Sequence, residues 1–363
     1  MKIYIITGEK SGDKHASKIV HELKNLDNNL KFKAWGGNHL ESEGVVLDKH
    51  INEISYMGFW EVFINIFKVI NNFNQCKKDI LRFSPDLILL VDYPGFNLKI
   101  AEFAFKNNFK VNYYISPKVW AWKFSRVNKI KKYVNRMFVI FPFEKDLYRE
   151  QGVEVEYFGN PIYEDIEDSS NNFDLIDHKP IISLFPGSRK QEINLILPLM
   201  LKIVKFYPNY NFIISATDSF SSDYYNKLTE GYDVTHVFNR SYDLLSVSQA
   251  SLVTSGTATL ETALMNIPQV VCYKTSFLSY IIAKSLVNIP YVSLINILLN
   301  RKVVDELIQS KLTVKNIKES LDKVLDRDQL KPLFSDYDNL RNLLASKNVS
   351  GKIAANILET IYL

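Results

Sequence analysis

Residues 250–261, Ala-Ser-Leu-Val-Thr-Ser-Gly-Thr-Ala-Thr-Leu-Glu, decide how the chain is read. Leu252-Val253-Thr254 predicts the end of a buried strand and Ser255-Gly256-Thr257 a tight turn. The good helix formers that follow predict a helix to about Met265. A strand that turns straight into a helix points unpaired N–H groups at whatever lies above the strand end, and the helix dipole favours an anion there. Glu261 falls one turn into that helix. A capping box from Thr257 would need its acid where Leu260 stands, so Glu261 is available to a ligand hydroxyl. Alone, the stretch also fits an ordinary β-turn-α unit with a solvated acid.

The same half of the chain repeats the pattern. Residues 181–185 predict a strand, Pro186-Gly187-Ser188-Arg189 its turn, and residues 192–206 a helix lightly broken by Pro198. Further strands are expected at 211–216, 235–238 and 269–273. Gly187-Ser188 lets backbone N–H approach a phosphate, and Arg189 supplies the forked charge that suits a diphosphate. Two anion-directed strand ends in one domain outweigh the plain reading of either.

The first half alternates too. A β-rich run at 3–7 meets Gly8-Glu9-Lys10-Ser11-Gly12-Asp13 and a helical pattern to Leu26, the opening of a doubly wound parallel domain. The loop is neither a dinucleotide fingerprint nor a Walker A, and Asp13 can also be read as a helix cap. Asp-Leu-Ile-Leu-Leu-Val-Asp at 86–92 reads as a buried parallel strand closed by an acid. Ligands of open α/β sheets sit beyond the carboxyl ends of strands, which makes Asp92 a site candidate. Residues 57–73 form an apolar helical pattern with Trp60, Phe63 and Phe67, read as core or as an interfacial helix. From Lys118 to Arg136 there are seven bases and no acid, interleaved with Trp120 and Trp122. That run suits nucleic acid, an anionic membrane or a phosphorylated lipid, against a default of solvated lysines.

Bulk properties narrow the class. A chain of 363 residues is comfortable as two domains, and a net charge of +4 excludes a nucleic-acid sponge. Cys76 and Cys272 have no paired spacing, the six histidines form no HExxH, and no metal site is expected. Entry into a strand at Ile3 argues against a secretory signal, and no apolar run reaches a membrane span. The expected division is an N-terminal domain at 1–163, an acidic linker at 164–179 and a C-terminal domain at 180–338. A C-terminal helix within 339–363 would pack on the first domain or on a partner.

Together these strings resemble lipid-A-disaccharide synthase, a two-domain GT-B glycosyltransferase family. The resemblance rests on Gly8–Asp13, Asp92-Tyr-Pro-Gly-Phe-Asn97, Ser116-Pro-Lys-Val-Trp-Ala-Trp122, Gly159-Asn-Pro161, Pro186–Arg189, Ser255–Glu261 and Tyr291-Val-Ser-Leu-Ile-Asn296. It runs in order from residue 3 to about 310. Lys10 stands where the family usually has Ala, and Gly95 where many members carry a second acid. The resemblance implies two Rossmann-like parallel-sheet domains facing a cleft. It also implies transfer of 2,3-diacylglucosamine from UDP to 2,3-diacylglucosamine 1-phosphate, forming a β(1→6) disaccharide and releasing UDP.

Under that reading Asp92 is the base, with Glu9 or Asp13 as runner-up, in an inverting reaction that uses neither metal nor cofactor. Gly187, Ser188, Arg189, Ser255, Gly256 and Thr257 would hold the diphosphate, Glu261 the ribose, and Asn296 would line the donor site. Trp60, Phe63, Phe67, Lys118, Trp120, Trp122, Lys123, Arg126 and Lys129 would meet the acceptor or the membrane. The expected place is the cytoplasm, peripherally on the inner membrane face, with a homodimer among the expectations and no nucleic acid. The competing readings are a GT-B relative acting on soluble UDP-sugar, such as a UDP-N-acetylglucosamine 2-epimerase, and a basic membrane- or RNA-binding module.

Overall fold

Continuous apolar runs closed by polar turns give strands buried on both faces, which only a parallel sheet covered by helices can use. Leu87–Val91 is wholly buried, and neighbouring residues point to opposite layers. Ile88 and Leu90 join Tyr4, Ile6 and Trp35 on one face, while Leu87, Leu89 and Val91 join Ile3 and Ile5 on the other. The computed structural model describes residues 1–54, 66–120, 124–168, 173, 179–276, 280–281 and 290–362.

The chain divides into two compact units, Met1–Pro161 with Ser346–Leu363, and Ile162–Ala345. The first holds β1 (Lys2–Ile6), β2 (Lys31–Gly36), β3 (Val46–His50), β4 (Leu87–Val91), β5 (Lys110–Tyr114), β6 (Arg136–Val139) and β7 (Glu156–Tyr157). All are parallel, in the order β3-β2-β1-β4-β5-β6-β7. The second holds β8 (Ile181–Phe185), β9 (Asn211–Ala216), β10 (Thr235–Phe238), β11 (Ser248–Thr254), β12 (Gln269–Tyr273) and β13 (Glu306–Ile308). These too are parallel, in the order β10-β9-β8-β11-β12-β13. Strand order reverses between β1 and β4, and again between β8 and β11. At such points adjacent loops leave the carboxyl edge in opposite directions and open a crevice.

Two expectations from sequence change. Part of the supposed linker, Glu164–Glu167, is the end of helix Pro161–Glu167, since Ile162 and Ile166 give that polar stretch an apolar stripe. Of the rest, residues 169–172 and 174–178 lie outside the described residues. The tail is two helices rather than one. Lys331–Leu344 belongs to the second unit, where Arg341 donates to the Leu264 carbonyl at 3.1 Å and Gln269 to the Tyr337 hydroxyl at 3.4 Å. The chain then returns, and Val349–Tyr362 packs Val349, Ile353, Ala354 and Ile357 onto Ala16, Ile19 and Val20 of helix Lys10–Leu26. It therefore docks on the first unit of its own chain. Gly159, at φ +135°, allows the crossing, because a Cβ there would stand 2.4 Å from that of Ser346. Among the described residues no helix is long and apolar enough to cross a membrane.

Ile353 is fully packed in this returning helix. Ile353→Ala is expected to cost about 2–5 kcal/mol in denaturant unfolding, as other buried large-to-small changes do. A midpoint unchanged from the parent would mean that the helix adds nothing to the first unit's core.

Candidate active site

In the first unit the loops after β1 and β4 meet at the reversal of strand order. Gly8 permits the approach, since a Cβ there would lie 2.2 Å from the Tyr93 ring. Asp92 closes β4 at φ +48°, Tyr93 follows at +49°, and Ile115 at the end of β5 has +64°. Left-handed backbone costs about 1–3 kcal/mol for each non-glycine residue and gathers at functional sites. Buried partners hold it here. The Asp92 N–H donates to the Tyr114 carbonyl at 2.9 Å. The Asp92 carbonyl accepts from Asn97 Nδ2 at 2.8 Å and from the Tyr113 hydroxyl at 2.5 Å.

The Asp92 carboxyl is pushed up to about 6, first by burial and then by the charge of Glu9. Lys118, the Tyr93 N–H and Arg126 pull the other way. An acid that titrates near neutrality, at the carboxyl edge of a sheet, can take a proton from a hydroxyl. Glu9 is the N-cap residue of helix Lys10–Leu26, and its side chain makes no capping bond. Asp13, expected as a runner-up base or as the cap of its own helix, caps a neighbouring helix instead of its own. It is buried and accepts from the Gly37 N–H at 2.6 Å and the His39 N–H at 2.9 Å, capping the neighbouring helix Asn38–Ser42. Gly36-Gly37 makes room for it, since a Cβ on Gly37 would stand 2.8 Å from Asp13 Oδ2.

The acid-free run from 118 to 136 is divided by acids from elsewhere. Lys129 pairs with Glu102 at 3.4 Å, and Arg136 with Glu359 at 3.0 Å and Glu156 at 3.7 Å. Lys118 and half-buried Arg126 act on Asp92 instead. The β5 loop that carries Lys118 is tied down by Glu144. That buried acid accepts from Ser116 Oγ at 2.6 Å and from the Ile140 and Phe141 N–H groups. Trp120 packs edge-on against Phe143 at 5.5 Å. Phe67 is 79% exposed on helix Ile66–Phe83. Trp60, Phe63, Trp122 and Lys123 lie outside the described residues.

In the second unit a cavity of about 240 Å³ opens at the reversal between β8 and β11. Gly187, Ser188, Ser255, Gly256, Thr257 and Glu261 line it. Thr217, Asn239 and Ser241, at the ends of β9 and β10, complete the wall. Helix Thr257–Leu264 begins without a side-chain cap, and nothing lies within 4 Å of a Cβ placed on Gly256. An uncapped helix start beside open space is a place for an anion. Arg189, half-exposed, stands 3.2 Å from Glu192, whose carboxylate overhangs Gly187 at φ +106°. Near Glu261 lies Tyr242, its phenol pushed far up by burial and then by Glu261 and Asp165.

Asn296 does not line this cavity. It is buried, and both ends of its amide are spent. The Nδ2 donates to the Val304 carbonyl at 3.0 Å and to Glu306 at 2.9 Å, while Oδ1 accepts from the Val303 and Val304 N–H groups. Glu306 also accepts from the Val292 N–H at 3.0 Å and from Ser293 Oγ at 2.6 Å. Ser255 Oγ in turn donates to the Val292 carbonyl at 2.7 Å. Residues 292–296 thus brace the Ser255 turn from behind. Sequence reading gives no role of their own to Tyr113, Glu144, Glu192, Tyr242 and Glu306, nor to Asn97, which it meets only as the end of the string from Asp92. The Gly36-Gly37 pair is a local sign of a close approach, here that of Asp13.

A family model described as lipid-A-disaccharide synthetase matches residues 3–355. The lipid-A-disaccharide synthase of Geobacter metallireducens is 34% identical, over 99% of this chain and 97% of its own. That of Coxiella burnetii is 32% identical, over 99% and 98%. Among solved structures, an S. aureus MnaA–UDP co-structure aligns with TM-score 0.70 at 13% identity, covering 100% of this chain and 97% of that one. A Neisseria meningitidis UDP-GlcNAc 2-epimerase bound to UDP-GlcNAc gives 0.67 at 15%, covering 99% and 100%. At such identities the likeness is one of fold.

Burial of Asp92 carries a cost in stability. Its folded-state pKa lies above the ordinary value of 3.8, so stability falls as pH rises from about 4 through 6, and the whole cost stands above 6. Asp92→Asn is expected to be more stable than the parent at pH 7.5 by on the order of 1 kcal/mol, the gain shrinking toward pH 4. A variant no more stable at either pH would show that the carboxylate is well solvated.

Proposed function

The chain belongs to the lipid-A-disaccharide synthetase family, and from that premise we propose how its two sites divide one glycosyl transfer. The protein is a glycosyltransferase of lipid A biosynthesis. We infer that its donor is UDP-2,3-diacylglucosamine and its acceptor 2,3-diacylglucosamine 1-phosphate, joined β(1→6) with release of UDP. The family match carries this reading of the substrates, and Asp92, an acid at the carboxyl edge of its sheet beside Glu9, Lys118 and Arg126, supports a general base.

As the acceptor's 6-hydroxyl oxygen attacks the anomeric carbon, Asp92 takes its proton and the bond to the diphosphate breaks on the opposite side, inverting the centre. Negative charge then grows on the departing UDP. In this reading the start of helix Thr257–Leu264, the Ser188 turn and Arg189 receive it, supplying positive charge without a metal; the open, uncapped helix start beside the cavity supports this. Glu261 accepts from the ribose hydroxyls. Exposed Phe67 and Ile70 on helix Ile66–Phe83, with Phe124, support contact with acyl chains at the inner membrane face. The readings as a soluble UDP-sugar epimerase or a basic binding module gain no comparable support. The likeness to epimerases is of fold alone, and the basic run is split by ion pairs.

Incubation with both lipid substrates should give a disaccharide 1-phosphate by mass spectrometry, at a rate indifferent to EDTA. Asp92→Asn should lose about a hundredfold or more in turnover. Turnover of the parent should fall on an acid limb near pH 6. A chelator-sensitive rate would remove the metal-free mechanism, and a fully active Asp92→Asn the base.

Arg189→Ala and Glu261→Gln should each weaken UDP binding about tenfold or more by calorimetry, since each withdraws a charge-assisted contact. Parental affinity in both variants would place UDP elsewhere.

A further inference from the structure

We propose that Tyr113 is a positioning residue of the transfer reaction, its hydroxyl and the Asn97 amide clamping the Asp92 carbonyl so that the Asp92-Tyr93 turn stays left-handed. The proposal rests on the reading of Asp92 as the base.

Tyr113 sits on β5, one residue before the partner of Val91, where β4 ends. It is fully buried between helices and sheet, and a phenylalanine would fill the same volume. What the hydroxyl adds is a contact of 2.5 Å to the carbonyl of Asp92, beside a hydrogen bond with the Asn97 amide. That carbonyl has a reason to need it. The turn to φ +48° at Asp92 and +49° at Tyr93 takes it out of the sheet ladder, although the Asp92 N–H still reaches the Tyr114 carbonyl. A buried carbonyl must be paired, and a left-handed aspartate followed by a left-handed tyrosine must be held.

Asn97, one turn into helix Pro94–Lys106 and also fully buried, supplies the second donor at 2.8 Å. Its Nδ2 lies 3.3 Å from the Val91 carbonyl and 3.4 Å from that of Ile6, so the clamp spans β1 and β4 at the reversal of strand order. Held so, the carboxylate stands among charges from three other elements. Glu9 comes from the loop after β1, Lys118 from the loop after β5, and Arg126 from helix Arg126–Tyr133. Tyr113 faces it from β5, and Tyr148 of helix Pro142–Glu150 faces Tyr113 and Arg126 in turn. Release of the carbonyl lets the turn relax and the carboxylate reach more water. The base then loses both its aim and its raised affinity for a proton.

The test is the pH profile of Tyr113→Phe with the two lipid substrates, beside Asp92→Asn and the parent. The expected result is kcat down about tenfold or more, KM within about threefold, and the acid limb lowered by about one pH unit. Turnover within twofold of the parent overturns the proposal. So does a reduced kcat with an unmoved acid limb, which is what loss of packing alone would give. If Tyr113→Phe does not fold, Asn97→Ser withdraws the other donor and carries the same test. If neither folds, the clamp serves folding and the proposal falls. An active Asp92→Asn sinks the base assignment instead, whatever Tyr113→Phe does. An inactive Asp92→Asn beside an unaffected Tyr113→Phe sinks only the clamp.

Discussion

Each sheet reverses its strand order once, and both candidate sites follow from that constraint. Where neighbouring strands send their connections to opposite faces, the carboxyl edge is left uncovered and two loops come side by side. Between β1 and β4 those loops bring Glu9 toward Asp92. Between β8 and β11 they bring Gly187-Ser188 to the turn at Ser255-Gly256-Thr257. Neither arrangement asks anything unusual of the strands, which are apolar and uniform. The demands fall on the loops, and glycine meets the steric ones. Gly8 lies under the Tyr93 ring and Gly187 under Glu192, in both cases closer than any Cβ would allow.

The loops are held by buried polar groups that point at backbone rather than at ligand. Asp13 fixes the turn at Gly37–His39, Glu144 the loop at Ser116, and Glu306 with Asn296 the segment behind Ser255. A carboxylate that accepts several N–H or O–H bonds recovers much of the solvation it loses on burial. Such groups make stiff braces, because removal of any partner leaves a buried charge exposed to apolar surroundings. Asp92 lacks that full complement. Among the described residues its own turn's N–H and two cations favour its charged form, but burial and Glu9 prevail and its pKa rises. Burial pushes the Glu144 carboxyl up as well, against its hydrogen bonds from Ser116, Phe141 and Ile140, so the two acids differ in how fully they are bonded rather than in the direction of the shift.

Charge follows the same division. The bases of residues 118–136 look like one positive stripe in the linear sequence, yet the fold shares them out. Some close ion pairs with Glu102, Glu156 and Glu359, and others turn toward Asp92. The exposed pairs add little stability and are screened by salt. Lys118 and Arg126 matter more, because they bear on a half-buried group whose protonation sets what it can do.

Alternating apolar runs, the turns at Gly187 and Gly256 and the acid closing residues 86–92 were enough to give two parallel-sheet halves, the candidate base and the anion-directed turns. Those features are local, since periodicity, turn chemistry and helix starts act over a few residues. What tertiary structure decided was partnership. Asp13 meets backbone 24 residues away and Arg136 an acid 223 residues away, while Tyr113 meets a carbonyl in the turn that follows the adjoining strand. Asn296 is spent on the loop and strand that follow it. A side chain's type fixes how many hydrogen bonds it can make, but folding chooses with whom. For that reason Asp13 and Asn296, site candidates in the sequence, brace backbone in the fold, whereas Tyr113, unmarked in the sequence, meets the Asp92 carbonyl.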